Sequence, residues 1–465
     1  MKPLNSIMLS GKEALPLIEG GKGVAISNWQ SSGAWAAMGG IGTVSCVNAD
    51  SYDDDGNIIR QIYHARTRRE RHEEMVEYGI AGGIAQIRRA YDLACGNGRL
   101  HMNVLWEMGA AERVLEGILD KAKGLVSGVT CGAGMPYRLA EVAARFGVYI
   151  YPIISSARAF GALWKRTYHK YPETLGGVVY EDPWKAGGHN GLSNKEDPLA
   201  PQDPYPRVLE LRQLMRTLGL GETPIVMAGG VWCLDEWENW IDNPELGPIV
   251  FQFGSRPLVT QESPISAEWK QRLLNLTDGE VSLHRFSPTG FYSSSIRNSC
   301  LHELEERSAR QISYTTGPDG AHTDSFNFGA RKRLVYVAPE DKAHAERWQR
   351  EGFTECLRTP DSTLVFMTLE KSKEIRQDQI DCMGCLSACR FSNWSQSEPW
   401  STGKKADPRS FCIQKTLQDV AHEGSVEHNL AFSGHNAYRF STDPYYRNGF
   451  IPTVRELFER IVTGK

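Results

Sequence analysis

Over roughly the first 260 residues, short runs of β-branched and aliphatic residues alternate with stretches whose apolar positions recur at helical spacing. The runs are Gly23–Asn28 (GVAISN), Gly42–Cys46 (GTVSC), His101–Leu105 (HMNVL) and Gly124–Val129 (GLVSGV), then Val148–Ile153 (VYIYPI), Gly177–Tyr180 (GVVY), Pro224–Ala228 (PIVMA) and Pro248–Phe253 (PIVFQF). Between them, Glu141–Phe146, Arg207–Leu218 and Ala267–Leu274 read as helices. Eight such units predict an α/β chain closed into a (β/α)8 TIM barrel over residues 1–312. Lys332–Pro339, Glu340–Glu351 and Ser362–Met367 then predict a small α/β insertion over 313–372. A cysteine-rich, metal-binding segment follows over 373–450, and Pro452–Val462 predicts a terminal helix, within 451–465, packed on the barrel.

In such a barrel the chemistry sits on loops at the carboxyl ends of the strands. The unusual residues fall there. The first-strand loop carries Gly20-Gly21-Lys22-Gly23, the third strand Asn103, the fourth Cys131-Gly132-Ala133-Gly134 and the sixth Ala186-Gly187-Gly188-His189-Asn190-Gly191. Gly229-Gly230 follow the seventh run and Gly254-Ser255-Arg256 the eighth. A matched glycine pair after strands seven and eight lets backbone N–H groups approach a phosphate. No GxGxxG opens a helix, so a dinucleotide fingerprint is excluded.

The net charge of −4 supplies no global field for nucleic acid. The densest basic run, Arg66-Thr67-Arg68-Arg69-Glu70-Arg71, is followed by Glu73 and Glu74 and reads as a solvated helix start. No apolar run is long enough to span a membrane, and the N-terminus lacks a secretory pattern, so a cytoplasmic protein is expected. Cys46, Cys95, Cys131, Cys233, Cys300, Cys356 and Cys412 lie scattered, without a disulfide pattern.

The blocks PLIEGGKGVAIS (Pro16–Ser27), GGIGTVS (Gly39–Ser45), AGGHNG (Ala186–Gly191), MAGGV (Met227–Val231) and FQFGSRPLVTQES (Phe251–Ser263) resemble the nitronate monooxygenase (2-nitropropane dioxygenase) family, FMN-dependent barrels that include enoyl reductases. TGFYSSSIRN (Thr289–Asn298) is a weaker echo. The resemblance implies FMN at the barrel mouth. Its phosphate would lie against Gly229, Gly230, Gly254 and Ser255, and its ring near Gly21, Gly23, Asn103 and Gln252, with Gly187 and Gly188 beside it. His189 matches the family's active-site histidine, suited to moving a proton beside a nitro group or carbanion. Two features depart from the pattern. Lys22 replaces a common methionine; it either faces the flavin and stabilises its reduced anion, or turns to solvent or Glu19. The chain also runs some 150 residues past the usual family length.

Within that extension, Cys382-x2-Cys385-x3-Cys389 gathers three thiols on one loop, with Cys412 as the natural fourth. This spacing resembles the cluster loops of iron–sulfur flavoenzymes of the old-yellow-enzyme type and suits a [4Fe–4S] cluster. Structural zinc and unmetallated cysteines remain alternatives. Arg390 is placed to offset cluster charge. Ser433–Arg439 (SGHNAYR) reads either as a cap on the barrel mouth or as ordinary surface, and Trp184 and Lys185 as pocket walls or packing.

A cluster would let a flavin exchange with one-electron partners, so the expectation is a flavin–iron–sulfur reductase or dehydrogenase using NAD(P)H or a ferredoxin-like carrier. A nitronate monooxygenase with structural zinc and a non-catalytic flavin-binding scaffold are the other readings.

Overall fold

The computed structural model describes residues 2–422 and 424–464. Eight parallel strands close into a barrel: β1 (Leu17–Glu19), β2 (Ile41–Ser45), β3 (Arg99–Leu105), β4 (Gly128–Gly132), β5 (Tyr149–Ile154), β6 (Val178–Glu181), β7 (Ile225–Ala228) and β8 (Ile249–Phe253). Each strand pairs with its neighbour in chain order, and Phe251 opposite Leu17 with Phe253 opposite Glu19 seals β8 to β1. Its interior is packed with Leu9, Ile18, Ile41, Tyr151, Val179, Val226 and Val250. Leu9 belongs to a hairpin, Ile7–Leu9 with Lys12–Ala14, whose turn residue Ser10 bonds His101 and Tyr151 at 2.8 Å each.

Six of the eight expected strands agree within two residues. The first does not. Gly23–Asn28 is a turn, in which Ile26 and Ser27 donate backbone N–H bonds to Lys22 O, and the strand is the shorter Leu17–Glu19. The β-branched content of GVAIS misleads because Gly20, Gly21 and Gly23 have already ended the strand. The fourth strand begins at Gly128 rather than Gly124, which sits in a left-handed turn with φ +81°.

Helix α1 (Trp29–Ala37) is capped by Asn28, and α2 (Arg68–Ala94) opens on a capping box between Thr67 and Glu70. The α/β insertion has its own core around Phe326, Val335, Val337 and Phe366. The terminal helix Val454–Thr463 returns to the barrel, where Phe458 meets Trp35 edge-on at 5.1 Å. Among the described residues, no helix is long and apolar enough to cross a membrane.

Candidate active site

A cavity of about 240 Å³ opens at the carboxyl ends of the strands. Gly20, Gly21, Lys22 and Gly23 form one wall, Asn103 and Gln252 another, and Gly187, Gly188 and His189 a third. The backbone is shaped to keep it open. A Cβ on Gly21 would fall 2.2 Å from Asn103 Cβ, so glycine alone lets the first loop pass the third strand. Gly229 and Gly230 both hold left-handed φ, +86° and +85°, which turns the chain sharply after β7. A Cβ on Gly254 would meet nothing within 4 Å, so that loop faces open space.

The loop Ser433–Arg439 closes over this end. Gly434 N donates to Ser255 Oγ at 3.0 Å, His435 N to Lys185 O at 3.1 Å and Asn436 Nδ2 to Gly230 O at 2.6 Å. It is a cap and not an ordinary surface loop. Gly187 is required beneath it, because a Cβ there would stand 2.6 Å from Ser433 C. Two polar groups face the space beneath the cap. Ser433 Oγ is buried and makes no hydrogen bond, and the Lys185 ammonium lines the cavity with the Asp182 carboxylate as its nearby counter-charge. An unpartnered buried hydroxyl, a cation and glycine turns at β7 and β8 are what a phosphate monoester needs, so these residues fit the FMN phosphate. Gly230 supports the loop without lining the cavity.

His189 is held on the small antiparallel sheet formed by Gly188–His189, Ser293–Ile296 and Val281–His284. Its Nε2 shares a 2.6 Å hydrogen bond with Ser287 Oγ, which in turn bonds Thr289 Oγ1 at 2.8 Å. Phe291 and Phe432 meet the ring edge-on. Burial pushes the His189 pKa down to about 4, so the imidazole is neutral near pH 7 and able to accept a proton. Ser287 has no signal in the sequence; only the sheet brings it to His189.

Lys22 lines the cavity, but its ammonium bonds Glu19 Oε1 and Gly20 O at 2.9 Å each. The pairing with Glu19 is one of the expected alternatives, and it gives that fully buried carboxylate a counter-charge. Trp184 is packing: it is buried, donates to Asp197 O and lies under Arg207. Glu181 was not anticipated. It ends β6, lines the cavity and makes no hydrogen bond among the described residues; burial, and then Asp182, raises its pKa to about 8. Its place as the last residue of GVVYE was the available signal.

Across nearly its whole length the chain superposes on one solved structure, the enoyl reductase domain of MlnA from the macrolactin cluster of Bacillus amyloliquefaciens. The TM-score is 0.51 at 10% identity, covering 96% of this chain and 93% of that one. The fold is shared. Also similar are FabK from Thermotoga maritima (TM-score 0.44, 14% identity, 63% and 74% covered) and nitroalkane oxidase from Streptomyces ansochromogenes (TM-score 0.45, 17% identity, 62% and 78% covered). No protein-family model matches the sequence, and no curated protein does.

The cysteine loop borders the same cavity. Cys385 and Leu386 line it. Backbone bonds tie the loop to the chain beyond β3: Gly109 N donates to Cys385 O at 2.9 Å, and Ser387 N to Glu107 O at 2.7 Å. The basic run at the start of α2 is solvated only in part: Arg66 and Arg69 are exposed, but its other arginines reach the cysteine loop. Arg71 Nη2 donates to Ile380 O at 2.7 Å, Arg68 Nη2 to Ser392 O at 3.0 Å and His72 Nδ1 to Gly384 O at 3.0 Å. Arg390, expected beside the thiols, instead lies against Gly290.

Cys382, Cys385 and Cys389 are buried, and Cys412 precedes the helix Ile413–Gln418. Burial lifts the Cys389 thiol to about 11 and the Cys412 thiol to about 12, and the neighbouring thiols add to both. Cys385 is raised furthest, by burial and then by Cys412, Cys389 and Cys382. All four thiols therefore share one buried region. Yet among the described residues no three His, Cys, Asp or Glu side chains converge on a single point as ligands of one metal ion. Of the other cysteines, Cys46, Cys131 and Cys356 are buried as small apolar residues, whereas Cys95 is exposed.

Proposed function

We propose that this chain is an FMN-dependent oxidoreductase of the nitronate monooxygenase and enoyl reductase type, acting as a reductase or dehydrogenase. The observation that carries the reading is one cavity shared by the phosphate-ready turns, a neutral His189 and Cys385. FMN, when bound, supplies a ring that takes or gives a hydride. Gly229, Gly254, Ser255, Ser433 and Lys185 would hold its phosphate, and Asn103 and Gln252 would border its ring. His189 would move the proton at Nε2, to or from a substrate carbon beside an electron-withdrawing group, steadied by Ser287. Lys22 would act through Glu19 to shape the first loop, not as a proton carrier.

The same reading assigns Cys382, Cys385, Cys389 and Cys412 to a [4Fe–4S] cluster, which supplies one-electron exchange. Zinc would need all four sulfurs about 2.3 Å from one ion. Among the described residues no group of side chains is arranged to hold either metal, so the cluster assignment rests on the Cys382-x2-Cys385-x3-Cys389 spacing with Cys412. The electron source would be NAD(P)H or a ferredoxin-like carrier. Flavin, iron and acid-labile sulfide measured on one anaerobic preparation test this. One FMN with iron and sulfide in equal amounts is expected. FMN with zinc and oxygen-dependent nitronate turnover would replace the reductase with a monooxygenase, and absence of flavin would end the reading.

A further inference from the structure

Successive side chains along a strand point to opposite sides, and the two carboxylates at the end of β6 divide on that rule. Asp182 does not line the cavity; its Oδ1 accepts from Trp184 N at 2.9 Å and from Lys185 N at 3.0 Å, which holds the turn ahead of AGGHNG. Glu181 pairs in register with Ala228 of β7, and both line the cavity. Among the described residues Glu181 makes no hydrogen bond or ion pair, and the charged group acting on it is another carboxylate, Asp182. The remaining titratable groups of the cavity wall do not compensate it. Lys22 is held by Glu19, Lys185 acts on Asp182, Glu107 accepts from Ser387 Oγ at 3.1 Å, and burial keeps His189 and Cys385 uncharged. A carboxyl out of water with no cation beside it keeps its proton, here up to about pH 8. Glu181 therefore presents an O–H donor to the cavity, with no acceptor among the described residues to satisfy it.

His189 lines the same cavity as a neutral base. We propose that Glu181 is a second catalytic residue, whose carboxyl donates a hydrogen bond to the nitro or carbonyl oxygen of the substrate while His189 moves the proton at the neighbouring carbon. Negative charge gathers on that oxygen as the carbon loses or awaits its proton, and a donor already in place stabilises it most in a site closed to water. Two titratable groups held in opposite protonation habits by their surroundings divide the work in this way. The inference rests on the flavin reading for the reaction; the donor itself stands on the cavity wall.

Propanoate, isoelectronic with nitroethane and ionised throughout, is the probe, titrated calorimetrically from pH 6 to 10 into the full-length FMN-loaded protein. Affinity should hold level up to about pH 8 and fall about tenfold per pH unit above it, as the protonated carboxyl is lost. Glu181→Gln should bind about tenfold more weakly at pH 7, an amide donor replacing the acid, and show none of that fall, so that the two curves cross. Slopes arising from Lys22 or Lys185 would be common to both. Glu181→Ala should flatten the profile in the same way, so failure of one variant to fold leaves the other. A fall shared by parent and variants, equal affinities at pH 7, or no binding by the parent would overturn the proposal. The expected profile in protein that never retains FMN would sink the flavin reading and leave the donor standing, whereas FMN retained beside a flat parent profile would sink the donor alone.

Discussion

His189 Nε2 and Ser287 Oγ stand 2.6 Å apart although 98 residues separate them in sequence. The bond fixes the imidazole at the cavity wall, and Thr289, which also lines the cavity, extends it by one hydroxyl. His189→Ala should lower kcat by about 10²–10⁴, the usual worth of a positioned acid or base. Ser287→Ala should cost about tenfold in kcat with KM little changed, as expected when one orienting hydrogen bond is lost. Equal losses in both parameters would show that Ser287 binds substrate instead.

Among the described residues, loss of solvent disfavours the charged form of several histidines, His72 and His435 included. Burial lowers His189 and His284 to about 4 and His101 to about 3, below the ordinary value of 6.5. The folded chain therefore binds fewer protons than the unfolded chain between these values and pH 6.5. Stability should rise with pH across that window and be lost as pH falls through it. Melting temperatures measured from pH 4 to 7 check this, and His284→Gln should flatten the slope.

Glu181 has the opposite sign. Its folded pKa of about 8 exceeds the ordinary carboxyl value of 4.5, so the folded chain keeps a proton there that the unfolded chain has lost, and stability falls as pH rises from about 4.5 to about 8 and then levels off. Glu181→Gln should leave the melting temperature unchanged near pH 4 and raise it relative to the parent by pH 8. A constant difference across pH would remove the titration from the account.

The Lys22–Glu19 pair should behave as structure. Glu19 is fully buried, and among the described residues Lys22 at 2.9 Å is the cation paired with it. Lys22→Met leaves that charge uncompensated and should cost about 3 kcal/mol in chemical denaturation. An unchanged midpoint with lost turnover would instead return Lys22 to the chemistry.

Two glycines should separate folding from cofactor retention. Gly254→Ala meets no protein atom within 4 Å, so the variant should fold with the parent's melting temperature without FMN, yet on the proposed function it should hold less FMN, because the new methyl would enter the space assigned to the phosphate. Gly21→Ala must displace Asn103 and should lose both stability and flavin. Flavin absorbance after desalting, beside a thermal melt, reads both.

The barrel was legible in the chain because parallel strands buried on both faces are written as continuous apolar runs, and because loops that approach a ligand closely require glycine. His189 in AGGHNG and the turns after β7 and β8 were readable for the same reason. The first strand was missed because three residues, PLIE without its proline, carry too short a signal. What stood outside local pattern was every contact made at long range. Ser287 on His189, Glu19 on Lys22, the cap from Ser433 over Gly187, and Arg68 and Arg71 on the cysteine loop all join segments by direction and distance in three dimensions. Residue type alone states that a buried charge needs a partner; only the packed chain decides which one it finds.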